Sequence, residues 1–377
     1  MSASRYPRPA PRQSAKRKGD TVADRILLLV GTKKGAFVVE GDKDRRTWAV
    51  RGPTCEGYPI QDISQDPATG VLYAGGGSEW YGPTVFRSED LGASWTQSSE
   101  GITYGDDGPK ITAVWNVTAA HDALYAGVGP AGLFRSEDGG RTWSHVQGLT
   151  NHPSRPTWSP GAGGLILHTI IPHPTDRDRM WVAISAVGTF ETVDGGVSWE
   201  PRNRGVRADF VPGPPPETGQ CVHKLVMAAG DGEQFYQQNH CGVYRSSDGG
   251  RKWDEITAGL PSEFGFAMVA HPRDPLTVWN IPLTTPDAGR FMPDGHASVW
   301  RTHDGGDHWI RGDGGLPKED AYLGVLREAM ARDDLDPVGI YFGTSTGQLY
   351  GSADGGATWS SIVSTLPPIW SVEAIRV

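Results

Sequence analysis

The stretch Ser136-Glu137-Asp138-Gly139-Gly140-Arg141-Thr142-Trp143 constrains this chain more than any other, because its pattern, Ser/Thr-x-Asp-x-Gly-x-(Ser/Thr)-Trp, keeps returning. Further copies run from Ser88 to Trp95, Thr192 to Trp199, Ser246 to Trp253, Thr302 to Trp309 and Ser352 to Trp359. Lys252 and His308 replace the second hydroxyl in two of them. The six aspartates, Asp90, Asp138, Asp194, Asp248, Asp304 and Asp354, are 48, 56, 54, 56 and 50 residues apart, the period of propeller blades and similar repeat units. A worn seventh copy lies at Asp42 to Trp48.

The box has the chemistry of a hairpin turn. Its Asp accepts hydrogen bonds from the turn's own backbone, its glycines supply positive φ, and its Trp points inward as an anchor. The turn lacks the carboxylate spacing and closing Glu of an EF-hand, which argues against calcium.

The strands around the boxes follow one plan. In the third unit they are Ile111 to Val117, Ala123 to Gly127, Gly132 to Ser136 and a strand starting at Trp143, a four-stranded antiparallel meander. The second unit offers Ile60 to Ser64, Val71 to Ala74 and Thr84 to Ser88, and the fourth Leu165 to Ile171, Met180 to Ile184 and Gly188 to Thr192. The remaining units start at Val222, Phe264 and Tyr322. Arg25 to Val50 holds three strands without a first, whereas Trp370 to Val377 reads as a first strand without a blade. Joined, they give an all-β, seven-bladed propeller, residues 25–377, closed by the C-terminal strand with no open sheet edge.

The boxes resemble the Asp-box, or BNR, repeat of sialidase-like β-propellers. The stretches Leu29-Val30-Gly31-Thr32-Lys33-Lys34-Gly35, Gly219-Gln220-Cys221-Val222-His223-Lys224-Leu225 and Tyr341-Phe342-Gly343-Thr344-Ser345-Thr346-Gly347 are similar to bacterial BNR-repeat proteins catalogued as sialidase-like or glycosyl-hydrolase-like. The resemblance implies a scaffold and a site face, and at most a hydrolase. The sialidase site itself has no match here: the N-terminal folded segment holds no Arg-Ile-Pro-like motif, and seven blades replace six.

Charge and composition narrow the classes. A net charge of −9 argues against nucleic acid as partner. No run of about 18 apolar residues suggests a membrane span. Residues 1–24 carry six Arg/Lys and several Pro, expected to be a disordered basic tail rather than a secretory signal. Three cysteines, Cys55, Cys221 and Cys241, fit a reducing cytoplasm, with a Cys221–Cys241 disulfide as the alternative.

In a meander the boxes lie on one face, and the turns between second and third strands lie on the other with the blade-to-blade connections. Ligands are expected at the channel mouth on that second face, so His121, His173, His271, His303 and His308 are set aside. Aligning the blades puts Gln61, His168 and Phe266 at one level, and Leu167-His168-Thr169-Ile170 matches Val222-His223-Lys224-Leu225. His168, His223 and the turn residue His240 are therefore candidate ligands of Zn²⁺, Fe²⁺ or Cu²⁺; the alternatives are ordinary hydrogen-bonded histidines or metal-free acid/base groups.

The same face should carry Trp80, Tyr81 and Trp158 to stack a carbohydrate or other small molecule, Arg155 to hold an anionic group, and Gln220, Tyr322 and Arg327 along the rim. Tyr322, Arg327 and Glu373 are expected on or beside innermost strands. Arg204 to Gln220 reads as a Pro-rich rim or lid. Glu79, His223 and Glu373 are the acid/base candidates of a hydrolase. The competing functions are a metal-dependent enzyme and a non-catalytic propeller that binds a partner protein.

Overall fold

The structure, a computed structural model, describes residues 25–213 and 216–377; the expected basic tail lies outside them. Seven sheets of four antiparallel strands form the chain, each sheet one blade. Blade one is assembled from both ends: Ile369–Arg376 pairs with Ile26–Thr32, which pairs with Gly35–Gly41 and then Trp48–Thr54. Register runs from Ile26 opposite Arg376 to Thr32 opposite Ile369. The seam with blade seven is fastened by the Arg45 guanidinium, which donates to Asp333 Oδ2 (3.1 Å) and to the carbonyls of Pro337 (2.9 Å) and Ala353 (3.1 Å).

The second strand of each blade is the buried one, because adjoining blades cover both of its faces, whereas innermost strands open partly to the channel and outermost ones are wet. In blade one, all seven residues of Ile26–Thr32 are buried, whereas the interior of Trp48–Thr54 is exposed. Strand limits agree with the expected meanders in the third strands of blades three and four, Gly132–Ser136 and Gly188–Thr192. Blade seven differs: its innermost strand is Met330–Arg332, so Tyr322 and Arg327 belong to the connection that precedes it. That connection is held at Glu328, which bridges in parallel to Ser371 of the C-terminal strand.

The box turns share one hydrogen-bond set. Asp138 Oδ1 accepts from the Thr142 amide (3.0 Å) and from Ser136 Oγ (2.8 Å), while Oδ2 accepts from Thr142 Oγ1 (2.7 Å). Ser136 Oγ in turn accepts from the Gly140 amide at 2.9 Å. Asp42 accepts from the Arg46 amide and from the Thr47 amide and hydroxyl, so the worn copy keeps the Asp bonds in a turn one residue longer, with Glu40 in place of the leading hydroxyl. In blade six His308 Nδ1 replaces the hydroxyl on Asp304 Oδ2, at 2.7 Å.

The boxes also stitch blade to blade, which their sequence did not suggest. Trp181 Nε1 donates to the Gly249 carbonyl and Trp279 Nε1 to the Gly355 carbonyl, each at 2.9 Å, from the second strand of one blade to the box of the next. All three cysteines are free, and no disulfide joins Cys221 to Cys241.

Candidate functional site

The innermost strands are interrupted at one level around the channel. Register shifts fall between Ile60 and Asp62, Val114 and Asn116, Leu167 and Thr169, Val222 and Lys224, and Gly265 and Met268. Each bulge leaves a residue out of the ladder and re-aims its side chain. The residues so placed include Gln61, Trp115, His168 and His223, with Phe266 in the corresponding shift of blade six. All but His168 line one chamber at the channel mouth.

This chamber, of about 480 Å³, is walled by Trp115, Phe210, Phe264, Phe266, Leu326 and Trp370. Its polar groups are few: Gln61, Ser185, Cys221, His223, His240, Arg290, Arg327 and Glu328. His223 Nδ1 lies 2.6 Å from the Gly265 carbonyl. A carbonyl only accepts, so Nδ1 carries the proton and Nε2 keeps a free lone pair, with no hydrogen bond to it among the described residues. Burial, and next the Arg327 charge, hold His223 well below the ordinary imidazole value, so the ring is neutral at pH 7. Burial also lowers His240 and raises the Cys221 thiol. The reacting atoms of Cys221, His223 and His240 all lie within 4.8 Å of one another.

Two guanidiniums enter the same chamber. Arg327 Nη1 donates to Ser185 Oγ at 2.9 Å, reaching from blade seven across the channel to blade four, and its guanidinium carbon lies 5.9 Å from the Phe266 ring centre. Neither Arg327 nor Arg290 has a carboxylate in ion-pair range among the described residues, although 18 such pairs form elsewhere in them.

The chamber floor is the Lys224–Glu328 ion pair, which joins blades five and seven across the channel. Glu328 Oε2 bonds Lys224, while its buried Oε1 has no hydrogen-bond partner among the described residues. Glu328 lines both the chamber and the channel below it, where Asp62, His168, Arg332 and Glu373 reside. Asp62 accepts from the Asn116 side chain and the Val117 amide, both at 3.1 Å. Burial and then the Glu328 charge push its carboxyl up to about 7. Burial raises Glu373 to about 7 as well, although its side chain is open to solvent within the channel.

The structure gathers some of the expected site residues and scatters others. His223, His240 and Arg327 share the chamber. His168 stands apart: Nε2 bonds the Val222 carbonyl (3.0 Å) and Nδ1 meets Thr169 Oγ1 (2.9 Å), so both ring nitrogens are occupied. Glu373 lies in the lower channel. Arg155 and Trp158 pack on each other, the guanidinium 4.8 Å from the ring centre, and Arg155 donates to the Ala131 carbonyl. Gln220 is buried and donates to the Pro216 carbonyl. Glu79, Trp80 and Tyr81 occupy an exposed turn; Trp80 is 95% exposed and Tyr81 stacks on Tyr58 at 4.3 Å. Tyr322 is exposed, edge-on to Phe291.

Sequence reasoning overlooked Cys221, Arg290 and Glu328 as site residues. Cys221 had a signal, its i, i+2 spacing from His223 at a strand start. Arg290 and Glu328 had none, because they come from long connections without a repeat to align.

No protein-family model matches the chain. The probable oligoxyloglucan-reducing end-specific xyloglucanase of Neosartorya fischeri is 24% identical over 256 residues, 58% of this chain and 31% of its own length. The GH74 xyloglucanase from Xanthomonas campestris superposes with a TM-score of 0.56 and 17% identity, over 92% of this chain and 52% of that one. YCF48 bound to D1 peptide gives 0.50 and 15%, with 81% of each chain covered. The chain is thus a seven-bladed β-propeller similar in fold to GH74 xyloglucanases and to YCF48, and it spans only a third to a half of the xyloglucanases it matches.

Proposed function

We propose that this propeller is a hydrolase-like enzyme whose substrate is a small carbohydrate or related molecule with an anionic group beside a flat, weakly polar body. The observation that carries the reading is Arg327, a half-buried guanidinium with no carboxylate in ion-pair range among the described residues, set in an aromatic chamber that the exposed Arg290 also lines. A buried or half-buried cation without a counter-charge favours an anionic ligand. Phe264, Phe266 and Trp115 offer faces to the body of that ligand. Glu328 Oε1 is the group placed to take a proton from water, and Asp62 beneath it, held protonated to about pH 7, is the matching proton reservoir. The GH74 likeness supports glycoside chemistry as the first class to try.

The test compares an aryl glucuronide, the matching aryl glucoside and xyloglucan oligosaccharides as substrates and as ligands in calorimetry. The acidic glycoside should bind tightest, and Arg327→Met should remove its advantage, a loss of about 1.5–3 kcal/mol for a charge-assisted contact. Glu328→Gln should abolish turnover with binding retained. Equal binding of glucuronide and glucoside, or turnover unaffected by Glu328→Gln, would overturn the reading.

A further inference from the structure

Three soft or borderline donors converge on the chamber wall, and all come from blade five. Cys221 precedes the innermost strand Val222–Met227, His223 is that strand's second residue, and His240 sits on the turn between Phe235–Asn239 and Gly242–Ser246. The His240 amide donates to the Cys221 carbonyl at 2.9 Å, which pins the turn to the strand end. The imidazoles of His223 and His240 are 5.6 Å apart, centre to centre, and steeply inclined at 75°. Phe264 stands edge-on to both, at 5.1 and 5.2 Å.

The Cys221 sulfur meets the Ala186 amide, but hydrogen bonding within the protein leaves the two imidazoles with nitrogens to spare. His223 spends Nδ1–H on Gly265 and leaves Nε2 open; no side-chain hydrogen bond ties the His240 ring among the described residues. A backbone carbonyl that fixes the tautomer of a histidine is the usual outer support of a metal ligand.

We propose that Cys221, His223 and His240 bind a divalent first-row transition ion, Zn²⁺ before others, with the fourth position open to the chamber. Thiolate and imidazole suit zinc, and three protein ligands with one open position is the arrangement of catalytic zinc. Bonds of about 2.0–2.3 Å to a tetrahedral ion need donors roughly 3.3–3.8 Å apart, so the 4.8 Å cluster must tighten by about 1 Å, within the reach of side-chain rotation. The thiolate cancels one charge of the ion; the remaining charge adds to those of Arg290 and Arg327, and all three then favour an anion in the fourth position. The metal site deepens the reading of the chamber as an anion-binding hydrolase centre, but its test uses the ion alone, so either can fail without the other.

The full chain, stripped by chelator and dialysed, is titrated with Co²⁺ while its absorption spectrum is recorded, then challenged with Zn²⁺. The expected result is one equivalent bound, with a thiolate-to-cobalt charge-transfer band that Zn²⁺ removes. Cys221→Ser should lose the band, and Cys241→Ser should keep it. His240→Ala should weaken Zn²⁺ by more than the roughly 10- to 100-fold that loss of an outer support costs. Absence of the charge-transfer band in the unaltered chain overturns the proposal whatever the variants do, as does a band that persists in Cys221→Ser.

Discussion

The two faces of this ring treat their carboxylates in opposite ways. On the box face, Asp90 is held down to about 2, first by the Ser94 hydroxyl and then by the Ser94 amide. Asp138 is lowered by the Thr142 amide and hydroxyl. These side chains keep contact with water and gain donors, so ionisation is favoured. In the channel, Asp62 also has two donors, yet it is raised to about 7, because burial and the neighbouring Glu328 outweigh them. The same residue type therefore builds a repeated, permanently charged turn on one side and a proton-holding group on the other. What separates them is burial: Asp62 is packed among the converging inner strands, whereas the box aspartates stay at the surface.

The largest break of this contrast strikes the box face at its seams. Trp279 is fully buried and delivers its Nε1–H to the box carbonyl of Gly355 in the next blade. Trp279→Ala should cost about 3–5 kcal/mol in urea unfolding, as expected for a large buried aromatic. The chamber lies on the opposite face, so ligand and Co²⁺ affinities of the fraction still folded should stay within about twofold, a change under roughly 0.5 kcal/mol.

A smaller effect, of opposite origin, comes from the channel. Asp62 has its carboxyl near 7 in the fold and near 3.9 when unfolded. Between those values the folded state holds more protons than the unfolded one. Its stabilising contribution is thus full below about pH 4 and is lost as pH rises through about 7. Asp62→Asn cannot titrate, so the stability difference, wild type minus variant, should fall by roughly 3–4 kcal/mol from pH 4 to 8. Urea midpoints measured across that range check it. A flat difference would mean that Asp62 ionises freely, and it would remove Asp62 as a proton reservoir.

The fold was legible because one turn carries it. Asp138, Thr142 and Trp143 are interchangeable in kind with Asp354, Thr358 and Trp359, and repetition of such a unit at a fixed period admits few architectures. Closure was legible from Ile369–Arg376, a strand with no blade of its own. The site was legible only where repetition reached it. Alignment of inner strands found His223 and the level of Gln61 and Phe266, all at the bulges, but it could not show that the imidazole of His168 turns to the Val222 carbonyl while that of His223 faces the chamber. Arg290 and Glu328 arrive on connections with no counterpart in other blades. Trp158 and Arg155 look like a ligand platform in sequence and are instead a packing pair, since an indole and a guanidinium satisfy each other as readily as they satisfy a ligand.

The smallest expected effect tests whether the box is a unit of stability or a decoration. Ser136 is buried; its hydroxyl donates to Asp138 Oδ1 and accepts from the Gly140 amide. Ser136→Ala leaves that buried amide without an acceptor, a cost of about 1–2 kcal/mol. Gly140 has φ of +84°, so the amide is held in place by a left-handed turn and cannot swing to another partner. Thr302→Ala removes the same acceptor from the Gly306 amide in blade six, where His308 rather than a hydroxyl binds the Asp304 carboxylate. Equal losses in thermal unfolding of the two variants would show that the Ser/Thr bond acts alone. A smaller loss for Ser136→Ala would show that the Thr142 amide and hydroxyl hold the turn closed without it, and the box would then owe its stability to the Asp rather than to the leading hydroxyl.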